Sequence, residues 1–167
     1  DYLAIGSDDD FLRMPLTPII GQRVEDIFGG SFPTRQIVDL VWQSSVVRLA
    51  PDRMGPPYDE KMQSTEWFRE HNGLVEKRRR ARSFYSGELG ELTAGHKKDV
   101  VLTPLLATNP HAVAIYGWHD LENDGKPIQG LNVHSHGSGY ADYSHGIRLI
   151  SNEVTVDGHP VVYGALL

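Results

Sequence analysis

The chain contains no cysteine, which excludes disulfide staples, thiolate nucleophiles and cysteine-ligated metals. It has no apolar run approaching the roughly 18 residues that a membrane-spanning helix requires, so no membrane partner is expected. Positive charge is also scarce: 16 Lys and Arg against 22 Asp and Glu give a net charge of -6 and a pI near 5.7. A phosphate backbone meets no overall attraction, and nucleic acid is not an expected partner without a local basic patch. Missing too are a phosphate-cradling glycine loop, a dinucleotide fingerprint, the H-E-x-x-H zinc helix and the G-x-S-x-G elbow of serine hydrolases. The opening "DYLAIG" carries neither an initiator methionine nor a signal-peptide pattern, as expected of a mature or trimmed fragment. Localisation, secreted or cytoplasmic, is left open.

At 167 residues one domain is expected over 1–167, with a helical half at about 1–90 and a sheet half at about 91–167. The fold class is α+β, with N-terminal helices packed on a mainly antiparallel C-terminal sheet or small open barrel. "LTPIIGQRVEDIFGG" predicts a helix with Thr17 as N-cap and Pro18 at its first position. Ile20, Val24, Ile27 and Phe28 form its apolar face, and Gly29 or Gly30 ends it. Thr34 caps a second helix with Ile37, Val38 and Val41 on one stripe and Pro51 as the stop beyond it. "DRMGPPYDE" is a loop. Ser64 or Thr65 starts a third helix that places Trp67, Phe68, His71, Leu74, Val75 and Arg78 at helical spacing. From Asp99 onward, β-branched clusters separated by turns such as "ENDGKP" and "VDGHP" predict sequential strands joined by hairpins.

Seven of the eight histidines fall between His96 and His159, several beside an acid or glycine at a strand end: "GHKKD", "GWHD", "VHSHG", "DYSHG". Strand-end loops converge on one mouth even when far apart in sequence, so this clustering is the main functional signal. One chemistry is zinc activation of water, with His96, His136 and His145 as the metal ligands and Asp142 in the ligand pool. On a regular strand His134 and His136, two apart, share a face. The run "HSHGSGYADYSH" resembles, over that short stretch, the His, Asp, His ligand order of zinc D-alanyl-D-alanine carboxypeptidases. Its His136-to-Asp142 interval departs from their spacing.

The metal-free alternative makes His145 the general base or acid, oriented by Asp142 or Asp99, with Tyr140 or Tyr143 donating a hydrogen bond to developing charge. Hydrolysis suits either version; the catalytic set is His145, Asp142, His96 and Asp99, and Tyr140, Tyr143 and Lys97 bind substrate. A third chemistry, paired carboxylates for glycoside cleavage, would draw on Asp8, Asp9, Asp10 and Glu88 or Glu91. The aspartate triplet is also explained by a solvated turn. The expected partner is a polymeric glycan or peptide, of cell-wall, polysaccharide or protein origin. The competing class is a non-catalytic glycan- or peptide-binding module using Tyr140, Tyr143 and Trp118 as its platform.

Structural explanations suffice elsewhere. His71 belongs to a helical stripe, and His111 and His159 to turns. Trp118 accounts for the position of His119 by packing. Tyr2, Trp42, Trp67, Tyr116 and Trp118 fall in core patterns. The basic run from Lys77 to Arg82 is a solvated helix end complementing the helix dipole, which Lys97 and Lys98 would join in space.

Overall fold

The computed structural model describes residues 1–56, 58–81 and 90–167. Glu88 and Arg82 lie outside the described residues. The fold is α+β. Three helices, α1 (Pro18–Phe28), α2 (Arg35–Ser44) and α3 (Thr65–Arg80), stand among short strands. The principal sheet joins β6 (Lys98–Val100), β7 (Ile115–His119), β8 (Pro127–Asn132) and β9 (His145–Gly146) in the order β8-β7-β6-β9. The first two pairings are antiparallel and β6–β9 is parallel, so the sheet stays open instead of closing as a barrel.

Four two-stranded pieces surround it: β1 (Ala4–Gly6) with β2 (Phe11–Arg13), β3 (Gly30–Ser31) with β10 (Ile150–Ser151), β4 (Val47–Arg48) with β5 (Thr93–Ala94), and β11 (Glu153–Val156) with β12 (His159–Val162). The expected single run of sequential strands is therefore broken up. "YSHGIRLI" divides between β9, on the principal sheet, and β10, paired with β3. Asp8 and Asp9 form the exposed tip between β1 and β2, where the Ser7 amide donates to the Asp10 carbonyl, as the turn explanation requires.

All three helices begin where hydroxyl caps place them. Thr17, Thr34 and Ser64 accept from the amides of Ile20, Ile37 and Trp67, satisfying otherwise orphaned donors. Helix α1 nevertheless buries a face rotated from that expected, with Val24 half-buried at its edge. Gly21 and Glu25 face inward, while Ile20, Ile27 and Phe28 are exposed. At Gly21 the helix lies so close to the Phe32 ring that a Cβ would come within 2.8 Å of it, so the smallest side chain and not the apolar stripe makes the contact. Helix α2 ends at Ser44, well before Pro51, because Val47 and Arg48 enter β4.

Alternation along β7 feeds two apolar clusters. Ala112, Ala114 and Tyr116 pack with Val38 of α2 and Val101, whereas Val113 and Ile115 pack with Phe32, Val100 and Ile147. Trp67, Met54 and Tyr143 form a further cluster, and Val75 of α3 packs on Val47 and Leu49. Between these clusters the interior is unusually polar: Arg13, His71, His96, Lys97, Asp99, Asp142, His145 and Arg148 are all buried.

Candidate functional site

The parallel pairing of β6 with β9 positions the site. Its register sets Lys98 beside His145, and the Lys98 amide donates to the Ser144 carbonyl at 2.7 Å. The segment from Val133 to Ser144 arrives as a loop, not as the strand expected at "NVHSH". The Asn132 side chain turns the chain by accepting from the amides of His134 and Ser135, and the Asn109 amide group holds the Val133 carbonyl at 2.7 Å. The Val113 amide donates to the His136 carbonyl, and the Ser138 amide to that of His111. As a result His134 is exposed while His136 turns inward, so the two do not share a face.

There His136 stacks on Tyr140, with centroids 3.9 Å apart and planes 8° from parallel. His145 lies beneath them, 5.6 Å from Tyr140 and 6.1 Å from His136. The Tyr140 hydroxyl donates to Asp142 Oδ2 at 3.0 Å, and both the amide and hydroxyl of Ser144 donate to Oδ1, at 2.8 and 2.6 Å. His145 Nε2 stands 3.9 Å from Asp142 Oδ2, beyond a hydrogen bond but well within charge interaction. The gradient of exposure is steep: His136 and Tyr140 are half-buried, Asp142 is 1% exposed and His145 0%.

The electrostatics follow from this burial. Desolvation pushes His145 down to about 4, with Lys98, His136 and Lys97 adding to the effect and Asp142 opposing it, so the ring is neutral at neutral pH. Burial alone would raise Asp142, but His145, the Ser144 hydrogen bonds and Lys98 hold it below the usual carboxylate range. Among the described residues neither ring nitrogen of His145 has a hydrogen-bond partner. A neutral imidazole with free nitrogens beside an ionised carboxylate is able to take a proton.

The other expected members are drawn elsewhere. Asp99 accepts from the Tyr2 hydroxyl at 2.7 Å and from Arg148 Nε at 2.9 Å, so it orients neither His145 nor a metal. His96 packs edge-on to Tyr2 at 5.0 Å, with Nε2 3.2 Å from Asp1 Oδ1. Lys97 is buried, not part of a surface basic patch: its ammonium donates to the Tyr143 carbonyl at 2.6 Å and stands 3.4 Å from His71 Nδ1. Burial and the nearby Arg13 bring Lys97 down to about 7. Tyr143 is core, packed on Trp67, and its hydroxyl accepts from the Met54 amide. Both side chains are buried.

The zinc trio His96, His136 and His145 is likewise not assembled. Among the described residues no three His, Asp or Glu side chains are arranged to hold a metal ion. His96 sits with Tyr2, and both Asp142 oxygens are taken by Tyr140 and Ser144.

Several contributors left no local motif. Trp118 has φ 58°, a left-handed backbone strained for so bulky a residue, at a register shift in β7. Its indole donates to the His96 carbonyl, and Lys98 Nζ and Arg53 Cζ lie over its ring at 4.7 and 5.3 Å. The same irregularity turns His119 onto Trp42, stacked at 4.7 Å, with Nε2 3.5 Å from Asp39, which also accepts from the Tyr116 hydroxyl. Arg148 offered a sequence signal: a charge inside the apolar run "GIRLI" must be paired if buried. Arg53 and Asp39 offered none.

The larger cavities lie away from this group. One of about 670 Å³ lies between the start of α2, residues 102–105 and residues 163–167, one of about 510 Å³ runs between the β1–β2 hairpin and α3, and an apolar one of about 450 Å³ lies beside α1. No protein-family model, curated protein or solved structure matches the chain.

The buried imidazoles make acid stability a direct test. His71, His96, His119 and His145 are all lowered, chiefly by burial, so the unfolded chain binds protons first as pH falls below about 6.5. Their stabilisation is complete above that pH and is lost towards their lower folded values. Glu25, pushed up to about 8 by burial, works in the opposite direction. The net expectation is a loss of about 2 kcal/mol or more between pH 7 and pH 5, measured by urea unfolding. Equal or greater stability at pH 5 would refute a neutral-imidazole interior.

Proposed function

We propose that the protein is a hydrolase in which His145 is the general base that activates water and Asp142 stabilises the imidazolium that forms. The observation that carries this reading is a fully buried histidine whose two ring nitrogens have no partner among the described residues, beside an ionised carboxylate and under a half-buried His136–Tyr140 pair. Tyr140 and Ser144 fix the Asp142 carboxylate, and the His145 imidazolium, once formed, returns its proton to the leaving group. A peptide or glycan polymer, of cell-wall or polysaccharide type, suits the stacked rings, whose faces take apolar sugar or side-chain surface. The geometry favours a metal-free mechanism, since zinc would need a third converging ligand.

The test is turnover across peptide, muropeptide and polysaccharide substrates, with elemental analysis of the same preparation. His145→Gln and Asp142→Asn are each expected to lower kcat by about 10²-fold or more with the fold retained. On the active substrate, kcat/KM should rise as pH passes about 4, the level to which burial lowers His145, and stay flat through 6.5. A profile centred on 6.5, or His145→Gln at full activity, would remove the base assignment.

A second reading is favoured by the His136–Tyr140 stack itself: a non-catalytic glycan- or peptide-binding module built on that platform. Trp118 and Tyr143, being buried, contribute no surface to it. Ligand binding that survives His145→Gln and Asp142→Asn but is lost in Tyr140→Ala, with no turnover of any substrate, would establish the module in place of the enzyme.

A further inference from the structure

Two cations beside this group form no ion pair among the described residues. Lys98 is half-buried, and its register on β6 puts it next to His145; Arg53 is exposed on the loop before α3. Both rest on the Trp118 ring, Lys98 Nζ at 4.7 Å and Arg53 Cζ at 5.3 Å. Among the described residues neither forms an ion pair, whereas Arg13, Arg78 and Arg148 each hydrogen-bond a carboxylate. The acid whose charge acts on Lys98, Asp142, already accepts from Tyr140 at one oxygen and Ser144 at the other. Lys97 is committed to the Tyr143 carbonyl.

Like charges gathered on one ring raise the energy of the empty site, and a bound anion relieves it. The shared ring is held in place by the Trp118 indole, which donates to the His96 carbonyl, and by the strained backbone at φ 58°. Strain of this kind persists where the surroundings impose it, and it concentrates at ligand sites.

We propose that Arg53 and Lys98, both held against the Trp118 ring, form an anion subsite that takes a carboxylate of the substrate. The inference rests on the hydrolase reading for the place of the subsite, beside the reacting group, but its binding chemistry is independent of turnover. Two positive charges set against the single negative charge of Asp142 leave one in excess, which matches a monoanion better than a dianion. An acidic peptide or a peptide C-terminus would supply the carboxylate; so would a uronic or muramic acid unit, and the shared chemistry is the same.

The probe is N-acetylglycine, with N-acetylglycinamide as its uncharged counterpart and inorganic phosphate as a dianion. Binding is followed by the NMR signals of the His136 imidazole and Trp118 indole. N-acetylglycine should produce saturable shifts, at least tenfold weaker in Arg53→Gln and in Lys98→Gln, and N-acetylglycinamide none. Equal response to the amide, undiminished binding by both variants, or tighter binding of phosphate would overturn the assignment. His145→Gln should keep the carboxylate preference. An inactive wild-type protein that still discriminates acid from amide defeats the hydrolase reading alone, and an active one that does not discriminate defeats the subsite alone.

Discussion

Replacing Arg148 by methionine is expected to destabilise the fold by about 3–5 kcal/mol, because the substitution strands a buried carboxylate. Asp99 is 2% exposed and Arg148 5%, and the guanidinium joins three otherwise separate parts of the chain. It donates to Asp99 in β6, to the Asp1 carbonyl and to the Thr93 carbonyl in β5, while lying 4.2 Å over the Tyr2 ring. Methionine fills most of the volume but none of the charge. Removing both charges in Arg148→Met with Asp99→Leu should cost less than Arg148→Met alone, since no unpaired ion then remains. Urea unfolding at pH 7 measures both; a loss below about 1 kcal/mol in the single variant would mean that the pair is dispensable.

Gly95→Ala is expected to cost about 2–5 kcal/mol, combining backbone strain and overpacking. Gly95 has φ 101°, a region that L side chains rarely occupy. An added Cβ would strike the Leu49 carbonyl oxygen and lie 2.6 Å from the Trp42 ring. The Leu49 amide bonds the Ala94 carbonyl at 3.0 Å, so the obstructing backbone cannot withdraw without breaking the β4–β5 ladder. His96 follows directly, so movement here would also reach the Tyr2 contact. Gly73, in α3 with nothing within 4 Å of an added Cβ, is the control: Gly73→Ala should stabilise by up to about 1 kcal/mol. Equal effects at the two sites would show that generic glycine entropy, not the close approach, governs Gly95.

Local signals made the helices legible. Thr17, Thr34 and Ser64 mark their starts because a hydroxyl cap acts over three residues and needs no tertiary partner. The inward face of α1 was not legible, since it depends on how close Phe32 comes to Gly21. At the site, clustering picked His136, Asp142 and His145 along one stretch of chain, and the fold keeps the three together. It failed for His96 and Asp99, which are near His145 in sequence logic but are claimed by Tyr2 and Arg148 from the two ends of the chain. Lys97 and Lys98 show the limit most clearly. Adjacent residues on a strand take opposite sides, so one became an interior amine and the other stands beside the mouth. No spacing rule announced Arg53, whose role depends on a loop meeting Trp118.

The parallel union of β6 and β9 also dictates an order of events during folding. Strand β9 is only two residues long and pairs with β6 from far downstream, so its closure costs more chain entropy than that of the β6–β7 and β7–β8 pairs. Such non-local closure is slow and comes late. The pairing that sets Lys98 beside His145 is therefore expected among the last to form, and a chain arrested before it would carry its helices without the His145–Asp142 group assembled.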